Sequence, residues 1–204
     1  VSLEAVEAAT QQGLQSTLDR QLGGEKDLAH ESDEFQSTEP ILRKAALSSG
    51  DINQLKAWWL YRLRYSQRGL TEKMSVLWHN QFATSNAKVD SVPLMAAQND
   101  LLRRESLGSF RRVLHDMAKD VAMLIWLDSN SNRKRHPNEN FAREVMELFS
   151  LGVGNYSEHD IQEAARAFTG WHVRNGEFWF NAIQHDTGEK VVFTKRGNFD
   201  RSTK

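Results

Sequence analysis

Cysteine is absent from the 204-residue chain, so it can build neither a disulfide framework nor a thiolate metal site, and its redox compartment is not written in its composition. Charge of one sign is also lacking. The 26 Lys and Arg stand against 27 Asp and Glu, and the net charge of -1 gives no global reason to expect nucleic acid or an anionic membrane as partner. Only a local patch, Arg133-Lys134-Arg135, departs from that balance. No apolar run approaches the roughly 20 residues needed to cross a bilayer. No apolar signal core opens the chain, so the expectation is either a cytoplasmic protein or one whose targeting segment has been removed. The sequence has no His-Glu-x-x-His, no Gly-x-Ser-x-Gly, no phosphate-binding glycine loop and no dinucleotide fingerprint, which removes the enzyme classes that such motifs name. Nor does any motif name a metal or a cofactor.

What is present is helical periodicity. With 39% hydrophobic residues, 204 positions suffice for one main core. Leu3, Val6, Ala9, Leu14, Leu18 and Leu22 mark one or two amphipathic helices. The stretch from Gly23 to Pro40, rich in Glu, Asp and Ser, reads as an exposed loop. Asp51, with Gln54 three residues on, resembles a reciprocal cap for a helix carrying Leu55, Trp58, Trp59 and Leu63. Thr71 reads as the cap of the next helix, in which Met74, Leu77, Trp78 and Phe82 recur on one side. Pro93 starts another, and Phe110, Val113, Leu114 and Met117 form a well-phased stripe. Val121 to Leu127 fits a strand or a buried helix by length, and its helical neighbours favour helix.

The segment from His136 to Trp171 concentrates the polar groups. Pro137 suits a first helical turn, having no N–H to lose. At about 100° per residue, Phe141, Ala142, Val145, Met146, Leu148 and Phe149 share an apolar arc that ends at Gly152, and Asn140, Arg143, Glu144 and Glu147 lie opposite. Ser157 and Asp160 form a capping box for a second helix bearing Ile161, Ala164, Ala165 and Phe168. Beyond Gly170 the period shortens. Asn175-Gly176 between two short aromatic runs signals a hairpin, and Val191 to Thr194 fits a third short strand. The architecture expected is mainly α, a multi-helix orthogonal or bundle-like domain over 1–170 with an exposed loop at about 23–40, followed by a small C-terminal β-hairpin and extended tail over 171–204 of the same domain. Its core would gather around Trp58, Trp59, Trp78, Phe110, Leu114, Phe141, Val145 and Phe168.

Candidate chemistry follows from the same segments. Glu144 and Glu147, three apart on a helix, can approach one another or a shared cation, and can equally be a solvated face paired with Arg143. Asn138, Glu139 and Asn140 can orient a ligand or satisfy the free N–H groups of a helix start. His79, in Trp78-His79-Asn80, is a base or metal ligand, or a half-buried histidine bonded to a backbone carbonyl. Trp171 and Asn80 join the substrate-facing candidates. His185 beside Asp186 is a weaker pair, because neighbours on an extended chain point to opposite faces.

Several runs together carry a resemblance: Leu55-Lys-Ala-Trp-Trp-Leu-Tyr-Arg-Leu63, Leu77-Trp-His-Asn-Gln-Phe-Ala-Thr-Ser85, Gln98-Asn-Asp-Leu-Leu-Arg103, and Asn132-Arg-Lys-Arg-His-Pro-Asn-Glu-Asn-Phe-Ala-Arg-Glu-Val-Met-Glu-Leu-Phe-Ser-Leu-Gly152. With Glu163 to Trp171, His185-Asp186 and Gly197 to Asp200, they resemble the bacterial family catalogued as domain of unknown function 1800. That resemblance implies a mainly helical protein with a periplasmic or extracellular setting, encoded near a sulfatase-like family that is a possible partner. It also implies a longer whole, of which this chain would be the N-terminal part. Where the family commonly has a second histidine this chain has Gln81, which weakens any metal site needing both imidazoles. Two functional expectations result. One is an exported hydrolase or metal-assisted enzyme acting on an envelope or extracellular polymer, with Glu144, Glu147 and His79 as its chemical groups and Asn80, Asn138, Glu139, Asn140, Arg143 and Trp171 around the substrate. The other is a non-catalytic scaffold in which the same groups hold helices together. The first requires that the polar side of the helix after Pro137 and the His79 imidazole share one hollow.

Overall fold

The computed structural model describes residues 3–22 and 31–199, and within them ten α-helices precede two small antiparallel hairpins. The first helix, α1 (Leu3–Leu22), is broken at Gly13, whose φ of 77° no helix contains, and leaves Leu3, Leu14 and Leu22 exposed. The second, α2 (Asp33–Ser49), corrects the loop reading: residues 33–40 are its first turns and run straight through Pro40, while 23–30 lie outside the described residues. Ser32 caps it by accepting from Phe35 N–H, and a single proline costs it one backbone hydrogen bond. That loss is offset by burial of Phe35 and Ala46 and by the bonds that Glu39 and Arg43 make to later helices. Composition hid this stripe among Asp, Glu and Ser.

Asp51 caps α3 (Ile52–Tyr65) through Asn53 N–H at 2.8 Å. α4 (Gly69–Gln81) begins before Thr71, with Arg68 at its cap position and no side-chain cap bond, so Thr71 is not the cap expected. The short α5 (Asn86–Val89) leads to α6 (Val92–Arg104), with Pro93 in its first turn, then α7 (Phe110–Met117) and α8 (Val121–Trp126), which settles the helix-or-strand alternative. Phe82, Leu102, Val113, Met117, Leu124 and Phe141 are the centre of the largest buried cluster. A second cluster joins Ala46, Leu55, Trp58, Val92, Met95 and Ala122. Phe110 packs against Trp78 at 5.9 Å yet remains 41% exposed, so it borders the core instead of filling it.

Asn138 caps α9 (Glu139–Met146), which does not run on to Gly152 as one α-helix. Its last residues, 147–151, form a π turn, and the added residue breaks the helical phase. Leu148 is thereby 59% exposed, whereas Phe149 stays buried at 5%. Gln81 of α4 donates to the Leu148 carbonyl at 2.6 Å, satisfying a group that the loosened turn frees. The Ser157–Asp160 capping box opens α10 (Glu158–Ala167) as expected. β1 (Trp171–Arg174) pairs with β2 (Glu177–Phe180) across Asn175-Gly176, both at positive φ, the turn that matches strand twist. In place of one third strand, β3 (Lys190–Val192) and β4 (Lys195–Gly197) make a second hairpin. It is fastened to α10 because Glu163 accepts from Val191 N–H at 2.7 Å and Asp160 accepts from Phe193 N–H.

Candidate functional site

The start of α9 uses its asparagines structurally. Asn138 Oδ1 accepts from Asn140 N–H at 3.0 Å, its own N–H donates to Asn132 Oδ1 at 2.9 Å, and Asn140 Nδ2 donates to the Leu127 carbonyl at 3.3 Å. Arg143 grips Glu158 with two nitrogens at 3.0 and 2.8 Å and reaches Glu139 at 3.0 Å. This arrangement holds the Glu158 carboxyl below its usual range and raises the arginine. Glu147 Oε2 accepts the Tyr156 hydroxyl at 2.7 Å, which pushes the phenol up. Glu144 differs: among the described residues it makes no hydrogen bond and no close ion pair, and burial followed by the Glu147 charge raises its carboxyl against the opposing pull of Arg143. Trp171 is held edge-on between Phe168 at 5.1 Å and Phe178 at 5.3 Å, with its indole N–H buried and without a hydrogen-bond partner among the described residues. Asn80 is exposed.

His79 sits elsewhere. It lines a cavity of about 450 Å³ between α3, α4, α5 and α6, walled by Ile52, Leu55, Trp58, Trp59 and Met95. The imidazole lies 4.9 Å from the Trp59 ring, and desolvation lowers its pKa, which favours the uncharged form. No residue of 138–147 lines this cavity, so the single hollow expected to join His79 to Glu144 and Glu147 is not formed there. The Trp59 indole N–H is buried with no hydrogen-bond partner among the described residues.

Two hydrogen-bond chains set the polarity of the cavity's remaining groups. Arginine only donates, so the bond from Arg103 Nη2 to Asn99 Oδ1 at 2.6 Å fixes which way the amide faces. Its NH₂ is thereby left as a donor with no partner among the described residues. On another wall the Thr84 hydroxyl donates to Gln98 Oε1, and Gln98 Nε2 donates to Asp120 Oδ2 at 2.7 Å. With its proton committed, Thr84 offers only lone pairs. Burial raises the Asp120 carboxyl, which also caps α8 through Met123 N–H at 2.9 Å. The cavity therefore presents apolar walls, the Asn99 amide donor, the Thr84 acceptor, the Ser85 and Asn86 side chains, which accept from Ala87 and Ser91 N–H, and the His79 imidazole, with Lys56 its one cation and no carboxylate among the lining residues.

Behind this wall lies a network that sequence reading missed. Glu72, 1% exposed, accepts from Arg62 Nε at 3.1 Å and Nη2 at 2.8 Å and from Arg103 Nε at 3.0 Å. Glu39 accepts from Arg62 at 2.7 Å and from the Trp58 indole at 2.8 Å, and Asp100 binds Arg43 and Arg103. The guanidiniums of Arg43, Arg62 and Arg103 all stand over the Trp58 ring, at 5.4, 5.8 and 5.4 Å. Three cations balance three carboxylates around one cavity tryptophan. The only sequence signal was their recurrence at helical spacing on four separate helices. Among the described residues no three His, Asp, Glu or Cys side chains gather as metal ligands would, and no helix is long and apolar enough to cross a membrane.

Comparison with known proteins gives one match: a family model described as "Protein of unknown function (DUF1800)" covers residues 1–203. No curated protein and no solved structure matches the chain.

Proposed function

The chain belongs to the DUF1800 family, and from that membership and the geometry above we propose that it is an exported hydrolase whose substrate enters the cavity lined by Trp58, Trp59 and His79. The observation that carries this reading is an imidazole set at 42° to the Trp59 ring, 4.9 Å away, at the wall of a cavity of about 450 Å³, where burial favours its uncharged form. A neutral imidazole can take a proton from water as that water adds to an ester or amide carbonyl, then return it to the leaving oxygen or nitrogen. The Asn99 NH₂, aimed by Arg103, is a donor suited to the oxygen that gains charge in that step. The exported setting, and an envelope or extracellular polymer as the source of the substrate, follow from the family resemblance. The metal-assisted version finds no ligand cluster among the described residues to build on.

Turnover of a panel of p-nitrophenyl acyl esters and aryl amides tests the reading. His79→Gln is expected to abolish release of product at an unchanged melting temperature, and Asn99→Ala to lower kcat more than it raises KM. Absence of turnover together with absence of any ligand effect on Trp59 fluorescence would sink it. A second reading, a non-catalytic scaffold for an exported assembly such as a sulfatase-like partner, is favoured by the mutual pairing of Arg143 with Glu139 and Glu158 and of Glu147 with Tyr156. Under it, Glu144→Gln and Glu147→Gln change stability or partner capture. Under the hydrolase reading both changes leave turnover at the His79 cavity intact, since neither carboxyl lines it.

A further inference from the structure

A second cleft, of about 350 Å³, opens between the 129–136 loop and the first hairpin, with Arg133, Arg174, Trp179, Asn181 and Gln184 on its walls. The backbone here is held firmly: Arg133 and His136 exchange N–H and carbonyl groups at 2.8 and 3.4 Å, Lys134 N–H donates to the Gln184 carbonyl at 2.8 Å, and Asn130 Oδ1 accepts from Val173 N–H. Arg133 Nε donates to the Asn130 carbonyl at 3.4 Å, and Arg174 stands across the hairpin from Glu177. Among the described residues no carboxylate pairs with Arg133, Lys134, Arg135 or Arg174, although most other arginines of the chain are in ion pairs. Arg174 lies 5.0 Å over the Trp179 ring and the His172 ring is tilted against it at 6.2 Å, yet the indole keeps 38% of its surface exposed, and the side-chain amides of Asn181 and Gln184 have no partner among the described residues.

Each of these features answers to one chemistry. Unpaired guanidiniums bind a carboxylate or sulfate through two parallel N–H bonds. Unpaired amides both donate and accept, as hydroxyl groups require. An exposed indole covers the apolar face of a ring. We propose that this cleft is a binding site for an acidic saccharide, a sugar unit carrying a carboxylate or a sulfate, with Arg133 and Arg174 on the anion, Asn181 and Gln184 on the hydroxyls, and Trp179 against the ring. Nucleic acid is the poorer fit, because only two of these cations, Arg133 and Arg174, line the cleft, which is too few for a track, on a chain whose net charge is -1.

The test is calorimetry on the chain with a galacturonate trisaccharide, a sulfated chondroitin disaccharide, a neutral galactose trisaccharide and an oligothymidylate. At least one acidic sugar is expected to bind about tenfold or more tightly than the neutral one, and to weaken several-fold between about 50 and about 200 mM salt. Arg133→Gln and Arg174→Gln should each weaken it by about tenfold, with Trp179→Ala as severe. Both arginines being exposed, neither arginine variant should shift the melting temperature. His79→Gln should bind the sugar as the parent does, which separates this site from the hydrolase cavity. Equal binding of the neutral sugar, oligothymidylate binding as tight as the acidic sugars, or indifference to both arginine changes would overturn the proposal.

Discussion

Replacing Glu72 by Gln removes one negative charge from a site where three guanidiniums are matched by Glu39, Glu72 and Asp100. The Glu72 side chain is 2% exposed and those of Arg62 and Arg103 are 14% and 13% exposed, so water cannot take over the role of the lost carboxylate. Breaking a buried ion pair from one side costs about 3–5 kcal/mol, mostly as the penalty for the charge left behind. For a protein of this size each kcal/mol lowers the thermal midpoint by roughly 2–4 °C, so the variant should melt roughly 6–20 °C lower. Urea unfolding gives the free energy directly. The double variant with Arg103→Gln should lose less than the two single changes added, by about 1 kcal/mol or more, since it restores neutrality. A Glu72→Gln loss below about 1 kcal/mol, or strict additivity, would show that the network is not the buried, balanced unit described. Because Arg103 also aims Asn99, Glu72→Gln should impair any ligand effect on Trp59 even below the melting range.

Gly170 has φ +80° and a Cβ there would stand 2.5 Å from the Asn181 carbonyl oxygen, so Gly170→Ala should cost about 1–3 kcal/mol from backbone strain alone, read by urea unfolding. Phe149→Ala should cost about 3–5 kcal/mol while Leu148→Ala is nearly silent, the pattern the π turn imposes. His79 is lowered by burial, so its folded form resists protonation: its contribution to stability is complete above the ordinary histidine range and is lost as pH falls below it. In a pH series of melting temperatures, His79→Gln should lack that part of the acid slope. Asp120, raised by burial, acts oppositely: the stability it allows at low pH is lost as pH rises past the ordinary aspartate range, and Asp120→Asn should flatten that component.

Much of the helical framework was legible because its signals are local. The Ser157–Asp160 box, the Asn175-Gly176 turn and the Phe110-to-Met117 stripe each lie within one turn or one helix. α2 was hidden because its start is acidic and its helical face is stabilised by partners far along the chain: Glu39 meets Arg62, and Arg43 meets Asp100. The π turn after Met146 was equally unreadable, since its freed carbonyl is met by Gln81 from a different helix. Of the site, His79 could be singled out from its place beside Trp78. Thr84 could not, because its partner Gln98 is brought to it only by the fold; Asn99 and Arg103 are four apart on α6, but that spacing does not say that Arg103 is itself held by Glu72 from α4. Asn138 and Arg143, by contrast, are largely occupied as cap and ion pair.

The Trp59 indole N–H, buried beside His79 with no hydrogen-bond partner among the described residues, is the most direct reporter of the cavity. Its NMR resonance should be recorded while a panel of small aryl esters and amides is added to the chain and to the His79→Gln variant. A ligand site predicts saturable shifts at Trp59 and His79 with at least one member of the panel, and loss or weakening of them in the variant; unshifted Trp59 and His79 resonances across the whole panel would contradict it.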